Sequence, residues 1–370
     1  MTRSPIRVFH LASTLGPVAG AKALSLLAPA LPRSAVESTV GVLGQERTFA
    51  APLINAGIDV RALVVRPGFD PAGWLRVRTV VSAERPDVLH AWDRRAAGIA
   101  WFLTRPRIGL SPAPRIVLSD ADRPIPGLPK PFMRHVLRSA DRVLAFGSAE
   151  AGRYRAWGVP DTRLVVTPQA VAPASMHANI RPSLGVPPDA RYLVAVSGFH
   201  GPSAVKGAVW AFDIIRYIDP TIRLVVVGDG PARGRVERFA RAVGSTDNRV
   251  VFVGERTDVP AILAGATAVW ITAARGGTNV ALEALAAGSP VVGYRTADLE
   301  QVISDNETGW LIPPGDRVAL AGRTLELIDN SSLRGRIARA GQIAATTQFN
   351  IAPVANCMRD AYHALTAKLE

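Results

Sequence analysis

Val269-Trp270-Ile271-Thr272-Ala273-Ala274-Arg275-Gly276-Gly277-Thr278-Asn279-Val280-Ala281-Leu282-Glu283-Ala284-Leu285-Ala286-Ala287-Gly288-Ser289-Pro290-Val291-Val292 reads as a strand, a loop of small residues, a helix, a glycine turn and a second strand. A strand, a helix and a following strand of this kind form a parallel pair joined by a crossover. Gly276, Gly277 and Thr278 let the backbone approach a ligand closely, and the helix that follows offers free N–H groups at the positive end of its dipole. Such a turn seats a phosphate. Glu283, a little over one turn into the helix, is placed to reach a polar group beside that phosphate, such as a ribose hydroxyl. Taken alone, the segment also reads as an ordinary glycine turn followed by a solvent-facing glutamate.

The same alternation runs outward in both directions. Strands are expected at 7–11, 38–41, 58–64, 88–90, 116–118, 142–146 and 164–167, and again at 192–197, 223–228, 250–254, 268–271 and 290–294. Helical stretches lie between them, among them 21–31, 203–218 and 232–243. Short strands alternating with helices mean parallel sheets covered on both faces. The one break, 168–191, is rich in Pro, Ala and polar residues without clear period and is expected to link two doubly wound domains. Ligands of such sheets bind beyond the carboxyl ends of the strands, so two of them in series are expected to face a central cleft.

Composition narrows the classes. The 370 residues suit two domains, and 48% hydrophobic against 20% charged residues exclude a disordered chain. A single cysteine, Cys357, forms no internal disulfide and argues for a reducing compartment and against a cysteine-built metal site. The net charge of +13 is carried mostly by arginine and is uneven: residues 1–180 hold 23 Lys+Arg against 12 Asp+Glu, residues 181–370 hold 20 against 18. The first half is therefore the one expected to meet an anionic membrane surface or acidic acceptor, unless arginine is simply frequent in this proteome. No apolar run reaches the roughly 18–20 residues of a membrane span. The start of the chain, interrupted by His10 and Lys22, reads as the opening of a folded domain rather than a signal peptide.

Several further stretches carry a resemblance. They are Ala140-Asp141-Arg142-Val143 through Ser148, Trp157-Gly158-Val159-Pro160, and Arg163-Leu164-Val165-Val166-Thr167-Pro168. In the second half they are Val227-Gly228-Asp229-Gly230-Pro231-Ala232-Arg233, Val250 to Gly254, Val259 to Ala266, Asn306-Glu307-Thr308-Gly309-Trp310-Leu311-Ile312-Pro313-Pro314-Gly315-Asp316, and a closing Phe349 to Tyr362. In order and spacing the chain resembles glycosyltransferase family 4, the retaining GT-B enzymes that use nucleotide-sugar donors. The resemblance implies an α/β fold of two Rossmann-like domains, an amino-terminal acceptor-side domain at 1–170, a linker at 171–190 and a nucleotide-sugar domain at 191–350. It further implies a final helix, 351–370, that returns to the first domain.

The resemblance also assigns residues. Lys206, of Lys206-Gly207, would serve the diphosphate, the amides of Gly277, Thr278 and Asn279 the distal phosphate, and Glu283 the ribose. The base would lie near Gly254 and Arg256, and Gly20, of Gly16-Pro17-Val18-Ala19-Gly20-Ala21-Lys22, would belong to a glycine-rich loop at the donor. Two departures stand out. Arg275 occupies the place of the family's first donor glutamate, which reads sugar hydroxyls, and Phe199 follows Gly198 where an arginine is usual. Losing one of two cations at a leaving diphosphate would cost on the order of 2–4 kcal/mol, by analogy with an oxyanion donor. Arg275 either replaces that cation or pairs with an anionic donor sugar; otherwise the chain is a drifted GT-B protein that binds nucleotide or glycan, or serves as a scaffold, without transferring sugar.

His90-Ala91-Trp92-Asp93 follows a strand where the family often has His-x-His. His90 is a candidate acid, base or packed core histidine, and Asp93 and Arg94 are edge candidates. Asp120-Ala121-Asp122 matches the metal mark of the other large transferase fold, but with 19 aspartates about one such match arises by chance. No metal and no cofactor beyond the nucleotide-diphosphate sugar is expected. The glycine loops match neither a P-loop nor a dinucleotide fingerprint. Nucleic acid is not an expected partner, since aromatics are only 6% and no basic cluster is interleaved with them. The expected partners are a nucleotide sugar and a glycan or lipid-linked acceptor, and the expected place is the cytoplasm, peripheral at the inner membrane face.

Overall fold

The computed structural model describes residues 4–16, 18–66, 70–105, 110–121, 130–173, 180–199, 201, 203–243 and 249–367. Contacts divide the chain into two compact units, Met1–Gln169 together with Ile351–Glu370, and Ala170–Asn350.

The first unit runs β1 (Ile6–Ala12), α1 (Ala19–Leu27), β2 (Val36–Val42), α2 (Ala51–Asn55), β3 (Asp59–Ala62), α3 (Pro71–Glu84) and β4 (Val88–Ala91). It continues with α4 (Arg94–Leu103), β5 (Arg115–Leu118), α5 (Lys130–Ser139), β6 (Arg142–Phe146), α6 (Ser148–Ala156) and β7 (Leu164–Thr167). The seven strands pair in parallel in the order β3-β2-β1-β4-β5-β6-β7. The order reverses between β1 and β4, which register His10 against His90. β4 is buried at every position, as a strand covered on both faces must be. Its apolar side chains and those of β1 and β5 pack on Val77 and Val81 of α3 and on Ala96, Ala100 and Leu103 of α4.

The second unit runs β8 (Tyr192–Val196), α7 (Ser203–Ile218), β9 (Arg223–Val227), α8 (Arg233–Ala242), β10 (Val250–Gly254), α9 (Val259–Ala264) and β11 (Ala268–Ile271). Then follow α10 (Thr278–Ala286), β12 (Val291–Tyr294), β13 (Gly309–Ile312), α11 (Arg317–Asp329) and α12 (Ser331–Gln348). Its parallel sheet has the order β10-β9-β8-β11-β12-β13, with the reversal between β8 and β11. One face is covered by Val209, Phe212 and Ile215 of α7, Val236 of α8 and Leu320 of α11. The other is covered by Ile262 of α9, Leu282 and Leu285 of α10 and Ala344 of α12. Each such buried Leu or Ile contributes about 1.5–3 kcal/mol. Trp270 of β11, 1% exposed, satisfies its indole by donating to Thr324 Oγ1 at 2.8 Å. The last helix, α13 (Ile351–Thr366), is part of the first unit, where it packs on α1, β1 and β7.

Three differences from the sequence reading have physical reasons. The segment read as a linker belongs to the second unit: Leu184, Val186 and Ala190 are buried in its core, and Val171 N–H donates to the Phe349 carbonyl. Its apolar residues lack period because they pack from turns. α1 stops at Leu27 rather than residue 31, because Pro29 cannot continue the ladder and a 3-10 turn, Ala28–Ala30, takes over. β13 is a strand beyond those expected: it opens on Gly309, a poor strand former, and stops at Pro313-Pro314, so the local signals read as turn.

Candidate functional site

In an open parallel sheet, ligands collect at the carboxyl ends of the two strands where the order reverses. In the second unit those strands are β8 and β11, and the loops after them run into α7 and α10. Thr272, just past β11, donates its hydroxyl to the Ala204 carbonyl in the first turn of α7 at 2.8 Å, so the two loops are stitched together. Gly207 lies so close to Tyr294, at the end of β12, that a Cβ would stand 3.2 Å from the phenol oxygen. Lys206 sits between these two anchors. Its ammonium lies 4.8 Å from the centre of the Phe239 ring, and no carboxylate pairs with it among the described residues.

The loop 273–277 runs on from Thr272 into the start of α10. Gly276 and Gly277 have φ of +76° and +85°, a left-handed pair that only glycine adopts without strain. A Cβ on Gly277 would stand 2.5 Å from Ile271 Cγ2. Gly276 N–H donates to Asp298 Oδ2 at 2.7 Å, and the Thr278 hydroxyl donates to the Asp298 carbonyl at 3.4 Å. Asp298, 6% exposed, thus pins the turn. Among the described residues no side chain caps α10, so the first-turn amides at Thr278, Asn279 and Val280 are left as in a typical anion seat. Arg275 is exposed in this loop, and Glu283 is half-buried on α10.

The neighbouring loops fit closely against this centre. A Cβ on Gly228 would stand 1.9 Å from the Ser197 carbonyl oxygen, and one on Gly230 2.3 Å from that of Gly198. Phe199, with φ +44°, is fully buried and packs against Phe252. The position that would carry a second cation is therefore filled by a core aromatic. Gly254, φ +71°, ends β10, and its carbonyl accepts from Gly228 N–H at 2.7 Å. Arg256 makes a fork with Asp258, Nε to Oδ1 at 2.8 Å and Nη2 to Oδ2 at 2.6 Å, and also donates to Ser183 Oγ. That fork holds its guanidinium above the ordinary arginine value, mainly through the hydrogen bond to Asp258. His200 and Pro202 lie outside the described residues.

In the first unit the reversal lies between β1 and β4. Gly20, in the first turn of α1, approaches the Trp92 carbonyl so closely that a Cβ would stand 2.3 Å from its oxygen. Gly16 is in similar contact with the Glu46 carboxylate, which accepts from the Thr14 hydroxyl at 3.1 Å. Asp93 caps α4 by accepting from the amides of Arg95 and Ala96, and it accepts from both the amide and hydroxyl of Ser13 at 2.6 Å. This edge candidate is thus a structural clasp between the loops after β1 and β4. Asp120, at the end of β5, has φ +47° and faces Gly20; Pro17 and Asp122 lie outside the described residues.

His90 is corrected by the structure. It is 0% exposed, stacks on Trp92 at 4.4 Å between ring centres, and has both nitrogens engaged, Nδ1 with the Tyr362 hydroxyl and Nε2 with the Ser119 hydroxyl. Burial, and to a lesser degree His10, holds its pKa well below the usual value. It is a core histidine and is out of reach of a substrate. Two residues that matter, Asp298 and Thr272, went unread, because each acts across the sheet on a loop distant in sequence and no local pattern marks it. Among the described residues no helix is long and apolar enough to cross a membrane, and no group of three or more His, Cys, Asp or Glu side chains could hold a metal ion.

Comparison with known proteins places this geometry. Residues 19–170 match the family described as glycosyl transferase 4-like domain, and residues 190–330 the family described as glycosyl transferases group 1. N-acetyl-alpha-D-glucosaminyl L-malate synthase of Bacillus anthracis is 26% identical over 46% of this chain and 45% of its own length. D-inositol 3-phosphate glycosyltransferase of Salinispora tropica is 30% identical over 73% of this chain and 62% of its own. The matched stretches thus span less than two thirds of these relatives. The crystal structure of Anabaena HepE in complex with UDP and glucose covers 97% of this chain and 99% of that one, with a TM-score of 0.82 at 19% identity. Residues 19–170 thus belong to the glycosyl transferase 4-like domains and residues 190–330 to the glycosyl transferases of group 1, carried on the two parallel-sheet units of a GT-B fold.

Proposed function

We propose that this protein transfers a sugar from a nucleotide-diphosphate sugar to an acceptor hydroxyl, with retention at the anomeric carbon. The observation that carries the reading is the Thr272–Ala204 hydrogen bond, which ties the start of α7, where Lys206 lies, to the loop that leads into the uncapped start of α10. The ammonium and the amides of Gly277, Thr278 and Asn279 would hold the diphosphate, Glu283 the ribose, and the Gly254–Arg256 turn the base. The bond from the anomeric carbon to the phosphate oxygen breaks with its electron pair on that oxygen. Cation and helix dipole stabilise the charge as it develops, which is where such sites gain most of their rate. The acceptor oxygen forms the new bond on the same face, and its proton passes to the leaving phosphate, so no protein nucleophile is needed.

Arg275 would sit beside the donor sugar, supplying the cation that Phe199 does not. The HepE structure contains UDP, so uridine diphosphate is the first nucleotide to try. The basic first half favours an anionic acceptor or surface, in keeping with the L-malate and D-inositol 3-phosphate named in two relatives, both anions at neutral pH. The site would then work at the cytoplasmic face of a membrane without spanning it. A second reading, nucleotide or glycan binding without transfer, rests on Phe199 and Arg275 together. Titration with a panel of nucleoside diphosphates, followed by turnover of neutral and uronic nucleotide sugars by wild type and Arg275→Glu, separates them. Binding with turnover supports transfer, binding without turnover supports the second reading, and no nucleotide binding removes transfer and leaves only glycan binding. Equal acidic-donor turnover by Arg275→Glu would remove the role given to Arg275.

A further inference from the structure

A cationic concavity lies on the first unit, at the opposite edge of its sheet from the Gly16–Gly20 loop. Its volume is about 210 Å³, and it is lined by Arg115, Asp141, Arg142, Arg163, Ala364 and Leu365. Arg115 and Arg142 are the first residues of β5 and β6, and Arg163 directly precedes β7. In a parallel sheet these neighbouring starts share one edge, so the three guanidinium groups converge by topology. α13 closes the concavity with Ala364 and Leu365.

Three cations there face one carboxylate, and that carboxylate is already engaged. Asp141 Oδ2 accepts from Ile116 N–H at 2.8 Å, and Oδ1 from Arg115 Nη1 at 3.3 Å. Arg142 donates from Nη1 to the Asp141 carbonyl at 2.9 Å. Arg163 donates from Nη1 to the carbonyls of Arg138 and Ala140 at 2.7 and 3.1 Å. Each arginine is thus fixed through one terminal nitrogen, while Nε and Nη2 of all three have no protein partner among the described residues. Pre-positioned guanidinium forks with open donors match the oxygens of phosphate as they do those of carboxylate, and three guanidinium groups against one carboxylate leave an excess of two positive charges, which suits a phosphate dianion better than a monocarboxylate. The volume is below the roughly 300–1,000 Å³ of pockets for whole small molecules, which suits one headgroup-sized anion.

We propose that Arg115, Arg142 and Arg163 form a phosphate-binding site, separate from the donor site and independent of the function proposed above. The phosphate comes either from an anionic phospholipid headgroup or from a free phosphate compound. The test uses the full chain. Inorganic phosphate is titrated against wild type, Arg142→Glu and Arg115→Gln, and the same proteins are sedimented with phosphatidylcholine vesicles with and without phosphatidylglycerol. Arg163 is left intact because its bonds to the end of α5 serve the fold. The expected result is saturable binding of one probe that weakens about tenfold or more in both variants, as expected for losing a charged hydrogen-bonding partner. Unfolding temperature and UDP titration should stay unchanged. Loss confined to vesicles with phosphatidylglycerol assigns the headgroup, and loss confined to inorganic phosphate assigns the free compound. Binding of neither probe by wild type, or undiminished binding by both variants, overturns the site.

Discussion

The Tyr362 hydroxyl lies 2.7 Å from Nδ1 of His90, so α13 is hydrogen-bonded to the centre of the first unit's sheet by two side chains 272 positions apart. The bond belongs to a buried network. His90 Nε2 meets the Ser119 hydroxyl at 2.8 Å, Trp92 donates to His10 Nδ1 at 3.0 Å, and His10 Nε2 faces the Ser38 hydroxyl. β1, β4, α13 and the residue after β5 are thereby tied by buried polar atoms, and the half-buried Ser38 extends the contacts to β2. Burial accordingly pushes the Tyr362 phenol well above its usual pKa.

Tyr362→Phe should therefore destabilise the first unit without disturbing the second. The ring still fills its space, but an imidazole nitrogen of His90 is left buried and unpaired, which costs about 1–3 kcal/mol. Urea denaturation followed by a probe in each unit checks this. A change below about 0.5 kcal/mol, the scatter of surface substitutions, would mean the bond does not form in solution.

Acid should weaken the same unit. Burial lowers the pKa of His10 from 6.5 to about 3 and that of His90 well below 6.5. In the unfolded chain both take up protons near pH 6.5, whereas in the folded chain they do not. Stability is thus fully present above pH 6.5 and falls as pH drops towards about 3, by up to about 1.4 kcal/mol per pH unit for each histidine. A His10→Gln, His90→Gln double variant should start less stable but lose that slope. A slope that persists in the double variant would assign the acid sensitivity to carboxylates instead.

These residues also show where sequence reading stops. The spacing of apolar runs reveals twelve of the strands and the position of α7, because burial on both faces imposes continuous apolar strands. It places Lys206 and Gly277 at helix starts for the same reason. His90 is different. Its position after an apolar run says that it ends a strand, but not which way the ring points. Only the partners from β5 and α13 make it a core residue. Asp298 is missed on similar grounds, since its grip on Gly276 depends on β12 lying beside β11. The tri-arginine concavity likewise exists only because β5, β6 and β7 start at one edge.

Gly277→Ala should weaken nucleotide binding while leaving most of the second unit folded. Its φ of +85° costs an alanine roughly 1–2 kcal/mol, and the new methyl would stand 2.5 Å from Ile271 Cγ2. The turn must then move, and the amides at the start of α10 move with it. The expected outcome is UDP affinity lowered by more than about tenfold, against a stability loss of about 1–3 kcal/mol for strain at a special backbone position. Unchanged UDP affinity would show that this turn does not seat the diphosphate.

Lys206→Met tests the cation directly. The ammonium has no carboxylate partner among the described residues and lies over Phe239, an arrangement worth about 0.5–1 kcal/mol at an accessible site. Methionine keeps the length and packs on the same ring, so stability should change by no more than that. Turnover should fall far more, on the order of 10²–10³ in kcat, because the charge opposes one that develops on the leaving diphosphate. KM should rise less than kcat falls, since only interactions strengthened in the transition state act on the chemical step. Lys206→Arg should recover part of kcat: it restores the charge but replaces a compact ammonium on a flexible stem by a planar fork. A Lys206→Met protein that keeps wild-type kcat and UDP affinity would remove Lys206 from the site, and with it the cation assigned to the leaving diphosphate.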